Sequence, residues 1–305
     1  MIVFLLLAAV ILGGSYYAYN IAFYSPAQNR EKIPEIKGPM YEPYKELLSE
    51  MFRETIERPF EPVTIQSHDG LTLFGRYYHT ADGAPLDIGF HGYRSCYVTD
   101  FCGGGTMSLS QGHNLLLIDE RAHGKSQGRT ISFGINERKD ALRWIQYAID
   151  RFGSDTKICL YGVSMGAATV LMTAGLDLPD NVKGIIADCP YAVATDIIVE
   201  VGKKMHYPTW FTTWFARLGA RIFGGFNIHE TNAIQAVQKT KVPILIIHGE
   251  EDTLVPAFMS EQIQQANPKM VRRETFPGAG HAMSYMLDTK RYWKLATEFM
   301  AEVLK

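Results

Sequence analysis

The chain has 305 residues, is 47% apolar, and carries a formal net charge of −2. That length and apolar content suit one large α/β domain with a sizeable core, and the near-neutral balance gives no electrostatic reason to expect nucleic acid. The four cysteines, Cys96, Cys102, Cys159 and Cys189, are too few and too scattered for a disulfide framework, although the spacing of Cys96 and Cys102 leaves a pairing open.

Residues 1–29 carry no charged side chain. Ile2 to Leu12 are almost all large and apolar, and Tyr16, Tyr17, Tyr19, Phe23 and Tyr24 follow Gly13-Gly14-Ser15. That length can cross a bilayer, and the tyrosines suit its interface. An uncleaved anchor is expected, with the lipid bilayer as its partner. The rivals are a cleaved signal peptide, which would need a basic n-region and a small-residue cleavage site that are not evident, and a hydrophobic helix packed on the domain. Arg30 and Lys32 argue for a cytoplasmic domain but are offset by Glu31, whereas an ordinary signal-anchor orientation places it outside; the expectation is a membrane-anchored, extracytoplasmic domain.

Residues 30–60 read as a polar linker punctuated by Pro34, Pro39, Pro43 and Pro59, with one helical stretch near Tyr44–Ile56. His68-Asp69-Gly70 separates two alternating runs, Val63–Ser67 and Leu71–Tyr78, which predicts a hairpin. Strand–helix alternation follows. Strands are expected at Leu86–Phe90, Leu115–Ile118, Lys157–Tyr161, Gly184–Ala187, Ile244–Ile247 and Arg273–Phe276. Helices are expected near 98–111, 135–152, 164–176, 230–239, 257–267 and 289–304. Apolar strands separated by helices imply an α/β fold, with a mostly parallel central sheet covered on both faces and the hairpin at its edge. Residues from about 190 to 229 break the alternation. They are rich in aromatics, including Tyr191, Tyr207, Trp210, Phe211, Trp214 and Phe215, and read either as a small helical cap or as an ordinary crossover with extra core helices.

Lys157–Tyr161 runs through Gly162-Val163-Ser164-Met165-Gly166 into Ala167-Ala168-Thr169-Val170-Leu171-Met172. A strand turning into a helix through Gly-x-Ser-x-Gly is a nucleophile elbow, which lifts the serine hydroxyl clear of the sheet. A serine needs a base, and the base needs an orienting acid. Downstream, in the order acid then histidine, come His248-Gly249-Glu250-Glu251-Asp252-Thr253-Leu254-Val255-Pro256 and Gly278-Ala279-Gly280-His281. Each lies just past the end of an expected strand.

These stretches, with His91-Gly92-Tyr93-Arg94-Ser95 and Asp119-Glu120-Arg121-Ala122-His123-Gly124-Lys125-Ser126, make the chain resemble the α/β-hydrolases, in the branch that includes bacterial membrane-anchored serine hydrolases and the serine-aminopeptidase-like and prolyl-oligopeptidase-like enzymes. The resemblance covers about residues 61–305 and implies an α/β-hydrolase fold over that range. In the family pattern Asp252 is the triad acid, with Glu250 and Glu251 as neighbouring fallbacks. His281 is the base, in preference to His91, His113, His123 and His248; His123 belongs to a turn that is usually structural. The oxyanion donors are the backbone N–H of Met165 and, by resemblance, of Tyr93. Pocket candidates are His91, Tyr191, Trp210 and Trp214.

The activity expected is hydrolysis of small-molecule carboxylic esters of short or medium acyl chain by a carboxylesterase-like serine hydrolase, through an acyl-enzyme. No metal and no cofactor are expected. A peptidase or aminopeptidase acting on peptides and a thioesterase are alternatives within the enzyme class. A non-catalytic, membrane-tethered binding module is the alternative outside it, and a filled triad counts against that reading.

Overall fold

The computed structural model describes residues 1–26, 33, 35 and 38–305; Arg30, Glu31, Lys32 and Pro34 lie outside the described residues. Eight strands form one sheet in the order β1-β2-β4-β3-β5-β6-β7-β8. The hairpin supplies β1 (Glu61–Gln66) and β2 (Thr72–Tyr78), which pair antiparallel, and β2 runs antiparallel to β4 (Asn114–Asp119). From β4 onward every pairing is parallel, through β3 (Leu86–Phe90), β5 (Ile158–Val163), β6 (Val182–Asp188), β7 (Ile244–Gly249) and β8 (Val271–Phe276). All residues of β3, β4, β5 and β7 are buried. Strands covered on both faces have no polar side to alternate with, which is why they read as continuous apolar runs.

The helices divide between the faces. On one side α5 (Glu137–Phe152), α6 (Met165–Thr173), α9 (Ala233–Val237) and α10 (Phe258–Ala266) close a core around Trp144, Ile88, Leu160 and Ile246. On the other, α3 (Tyr97–Phe101), α4 (Gly104–Ser110), α11 (Ser284–Leu287) and α12 (Thr289–Val303) close a second core around Phe101, Met107, Phe276 and Tyr292. The single helix expected near 98–111 is two short ones. Its middle is Cys102-Gly103-Gly104-Gly105, and a glycine run is a poor helix interior. Cys96 and Cys102 are both free and buried, so the pairing left open by their spacing does not form. Residues expected as a linker contain α2 (Lys45–Glu57), which buries Leu48 and Thr55.

The remaining helices are α1 (Ile2–Ala22) and the pair α7 (Ala194–Lys204) and α8 (Thr209–Ile222), inserted between β6 and α9. Helix α1 is long and apolar enough to cross a membrane. Ile2 through Val10 are exposed, while Ser15, Ala18 and Tyr19 are buried against the rest of the protein. Tyr24 then makes an antiparallel bridge with Thr130, and Ser25 donates from its hydroxyl to the Ala122 carbonyl at 2.6 Å.

Candidate active site

The site lies where the parallel strand order reverses, at the C-terminal ends of neighbouring β3 and β5, the usual crevice of an open α/β sheet. Ser164 leaves β5 with φ 55° and ψ −110°, a strained combination for a residue with a Cβ. The elbow tolerates it because its glycines let three backbones meet. A Cβ on Gly166 would sit 1.9 Å from the Phe90 carbonyl oxygen, and one on Gly162 would sit 2.3 Å from that of Gly166. No other residue type fits at either position.

The structure brings together the three residues expected to carry the chemistry. His281 Nε2 is 3.0 Å from Ser164 Oγ, and His281 Nδ1 is 2.7 Å from Asp252 Oδ2. Asp252 Oδ1 accepts the backbone N–H of Leu254 and of Val255, both at 2.8 Å, and His248 Nε2 lies 3.3 Å from Oδ2. Burial by itself would raise the Asp252 pKa. Hydrogen bonds from His248 and His281 outweigh it and hold the carboxyl well below the usual carboxylate range. Asp252 is therefore ionised at any pH near neutrality, as the orienting partner of a histidine must be. Glu250 and Glu251 are exposed, and Glu250 instead accepts from the Thr275 hydroxyl.

Among the described residues neither the Met165 nor the Tyr93 backbone N–H has an acceptor. Met165 opens α6, where unpaired N–H groups favour developing negative charge. The loop carrying Tyr93 is fixed from both sides. Gly92 N–H donates to Asp100 Oδ2 at 2.5 Å, and Arg94 N–H donates to His123 Nε2 at 2.9 Å. His91 is buried in the sheet end, accepting at Nε2 from the Glu120 N–H at 3.1 Å and lying edge-on to His123. It is scaffold, contrary to its expected place in the pocket.

Two cavities meet at Ser164. The first, of about 280 Å³, is almost wholly apolar and includes Tyr93, Phe133, Met165, Tyr191, Ile197 and Phe211 in its lining. Of the residues expected in the pocket, Tyr191 lines this cavity, whereas Trp210 and Trp214 line neither cavity and are each 65% exposed. Helix α8 turns Phe211, Thr212 and Ala216 to the cavity, and on a 3.6-residue helix the positions one before Phe211 and two after Thr212 face away. The second cavity, of about 370 Å³, is more polar. Asp100, Asp188, Tyr41, Ser95, Thr99 and His281 stand in its wall.

Several contributors escape sequence reasoning. Asp188, at the end of β6, is buried; its Oδ2 accepts from Tyr292 Oη at 2.8 Å, and its Oδ1 has no partner among the described residues. Burial pushes its pKa up to about 6. The Cys189 thiol lies 4.0 Å from His281 Nε2, and burial pushes it well above its ordinary value, so it stands there as a neutral thiol. A strand-end aspartate was the available signal for Asp188. No signal marked the end of α1, although Ala18, Ile21 and Ala22 wall the apolar cavity. Tyr93 Oη donates to the Ala22 carbonyl at 3.0 Å, and Arg94 Nη2 donates to those of Ile21 and Tyr24 at 2.9 and 3.1 Å. These are carbonyls a helix end leaves unpaired.

Residues 129–305, more than half of the chain and including all three of Ser164, Asp252 and His281, match the prolyl oligopeptidase family (Peptidase_S9). An uncharacterized Bacillus subtilis protein, YqkD, is 28% identical over 63% of this chain and 63% of its own, so the match spans a little under two thirds of that relative. A Saccharomyces cerevisiae protein described as an uncharacterized membrane protein is 22% identical over 63% of this chain and 62% of its own. Among solved structures, the Pyrococcus furiosus esterase Pf2001 superposes with a TM-score of 0.68 at 22% identity, over 90% of this chain and 98% of that one, which is a likeness of fold. With the elbow, the strand order and the family match all present, the chain belongs to the prolyl oligopeptidase family and is an α/β-hydrolase.

Proposed function

We propose that the protein is a serine hydrolase that cleaves carboxylic esters of short or medium acyl chain. The observation that carries this reading is the relay from Ser164 Oγ to His281 Nε2 at 3.0 Å and from His281 Nδ1 to Asp252 Oδ2 at 2.7 Å, opening on an apolar cavity of about 280 Å³. Ser164 Oγ bonds to the ester carbonyl carbon while His281 takes its proton. The N–H groups of Met165 and Tyr93 receive the negative oxygen. As the tetrahedral intermediate collapses, the carbon–oxygen bond breaks and His281 returns the proton to the departing alcohol. Water, deprotonated by His281, then cleaves the acyl-enzyme. Asp252 stays ionised throughout and holds the imidazole in register.

A peptidase is the second reading, favoured by the carboxylates of Asp100 and Asp188 in the second cavity, which would suit a substrate amine. The test is hydrolysis of p-nitrophenyl esters of increasing chain length and of aminoacyl-naphthylamides, with Ser164→Ala as control. Ester turnover that peaks at short or medium chains and vanishes in the variant supports the first reading; turnover of the amides alone supports the second; turnover unchanged in the variant removes both. We read α1 as an uncleaved anchor with the domain outside the cytoplasm, because the end of α1 is built into the cavity wall and a mature form without it would leave that wall open. Digestion of the domain by protease added to intact cells tests the side.

A further inference from the structure

Helix α8 has two faces, and only one belongs to the cavity. On the inner side it crosses α1. The Phe215 ring occupies the place a Cβ on Gly14 would take, and Gly219 packs against the Ser15 carbonyl. Tyr17 and Tyr207 share a hydrogen bond at 2.7 Å, Tyr17 and Phe211 lie edge to face at 6.3 Å, and Tyr16 and Phe223 do the same at 5.2 Å. From Phe211 to Phe223, about 18 Å at 1.5 Å per residue, the contacts stay between residues 14 and 19 of α1, a rise of only about 7.5 Å. Helix α8 therefore meets α1 just past the exposed apolar stretch of α1, Ile2 through Val10.

The outer side of α8 presents Trp210, Trp214, Arg217 and Arg221, all exposed. The spacings i, i+4, i+7 and i+11 place them on one stripe. Large aromatics with interspersed arginines on the outer face of a helix are the chemistry of a membrane interface: indoles settle among the headgroups, and guanidinium groups pair with anionic ones. A stripe facing only water has no reason to expose two tryptophans.

The cavity lies between these helices. Ala18, Ile21 and Ala22 of α1 wall it on one side, with Phe211, Thr212 and Ala216 of α8 beside them, and it extends to Tyr207 and the half-exposed Met205. From Ser164 it therefore extends past the last turn of α1 toward Met205 and Tyr207, the latter hydrogen-bonded to Tyr17.

We propose that α8 lies in the interface of the bilayer that α1 enters, and that the substrate is a medium-chain ester embedded in that bilayer, whose acyl chain passes between α1 and α8 to reach Ser164. This rests on the ester-hydrolase reading and names its substrate class. The test uses the full-length protein in phosphatidylcholine vesicles containing phosphatidylglycerol, with mono-decanoylglycerol as the embedded ester and p-nitrophenyl acetate as the soluble one. In Trp210→Ser/Trp214→Ser, hydrolysis of the embedded ester is expected to fall about tenfold, the loss expected of about 1.4 kcal/mol of interfacial contact, with acetate turnover unchanged. Brominated lipids should quench part of the wild-type tryptophan fluorescence, and that part should be missing in the variant. Ala18→Trp, which fills the cavity from the α1 side, should shift the preferred acyl chain shorter. Equal loss on both esters, absence of the variant-sensitive quenching, or an unmoved chain-length optimum would overturn the proposal. If no ester is turned over but the quenching is present, it is the ester-hydrolase reading that has failed, and the membrane contact of α8 stands.

Discussion

Two regions meet at Ser164, and they are held in different ways. On one side stand Ser164, Asp252 and His281, on loops that leave β5, β7 and β8 of one hydrogen-bonded sheet. Their separations are set by strand spacing and by backbone contacts too close for a Cβ, so the geometry is rigid. On the other side stands the apolar cavity, walled by α1, α7 and α8, which share no sheet and meet through side chains. Only a few hydrogen bonds tie them to the sheet end, notably those from Tyr93 and Arg94 to the last carbonyls of α1. The difference separates two roles: a frame that aligns the reacting groups, and a softer wall that selects what is brought to them.

Substitutions should respect this division. Ser164→Ala should lower ester turnover most, by about 10⁶-fold where the serine acts as nucleophile, with thermal unfolding little changed; hydrolysis of p-nitrophenyl butyrate measures it. Asp252→Asn keeps the shape but presents the wrong hydrogen-bonding partner to His281, and should cost about 10⁴-fold in kcat. Comparable losses from substitutions in α8 would break the comparison, since a wall should change substrate preference more than the rate constant.

Asp188 tests the rigid side through pH. Its folded pKa of about 6 stands above the ordinary aspartate value of 3.8. The folded state therefore keeps a proton that the unfolded chain releases, and stability falls as pH rises from about 4 to about 6, then levels off. A shift of that size corresponds to at most about 3 kcal/mol. Asp188→Asn should flatten the profile, so that its melting temperature gains on the wild type between pH 4 and pH 6; identical pH profiles would show that Asp188 does not titrate there. The smallest effect belongs to the seam. Tyr93→Phe keeps the backbone donor and the ring but loses the bond to the Ala22 carbonyl, and should cost about 1 kcal/mol in urea unfolding, with a modest change in KM. A large fall in kcat instead would mean that α1 sets the oxyanion geometry itself and that the two regions are one.

The sequence by itself determined the sheet, the elbow and the order of the three polar residues, because these depend on local signals. Buried parallel strands are continuous apolar runs, a strained strand–helix turn needs glycines at fixed positions, and loops after strands gather at one end of a parallel sheet. It did not determine which side of α8 each aromatic would face: Trp210, Phe211, Trp214 and Phe215 look alike as a string, and only the partner helix decides that Phe211 turns inward while Trp210 and Trp214 turn out. Nor did it show that Ala18, Ile21 and Ala22 would wall a cavity beside Ser164, more than 140 positions later. Contacts of that separation leave no periodic trace. They exist because α1 crosses α8 where Gly14 and Gly219 allow close approach, and because Tyr93 and Arg94 supply donors to a helix end that would otherwise leave its carbonyls unpaired.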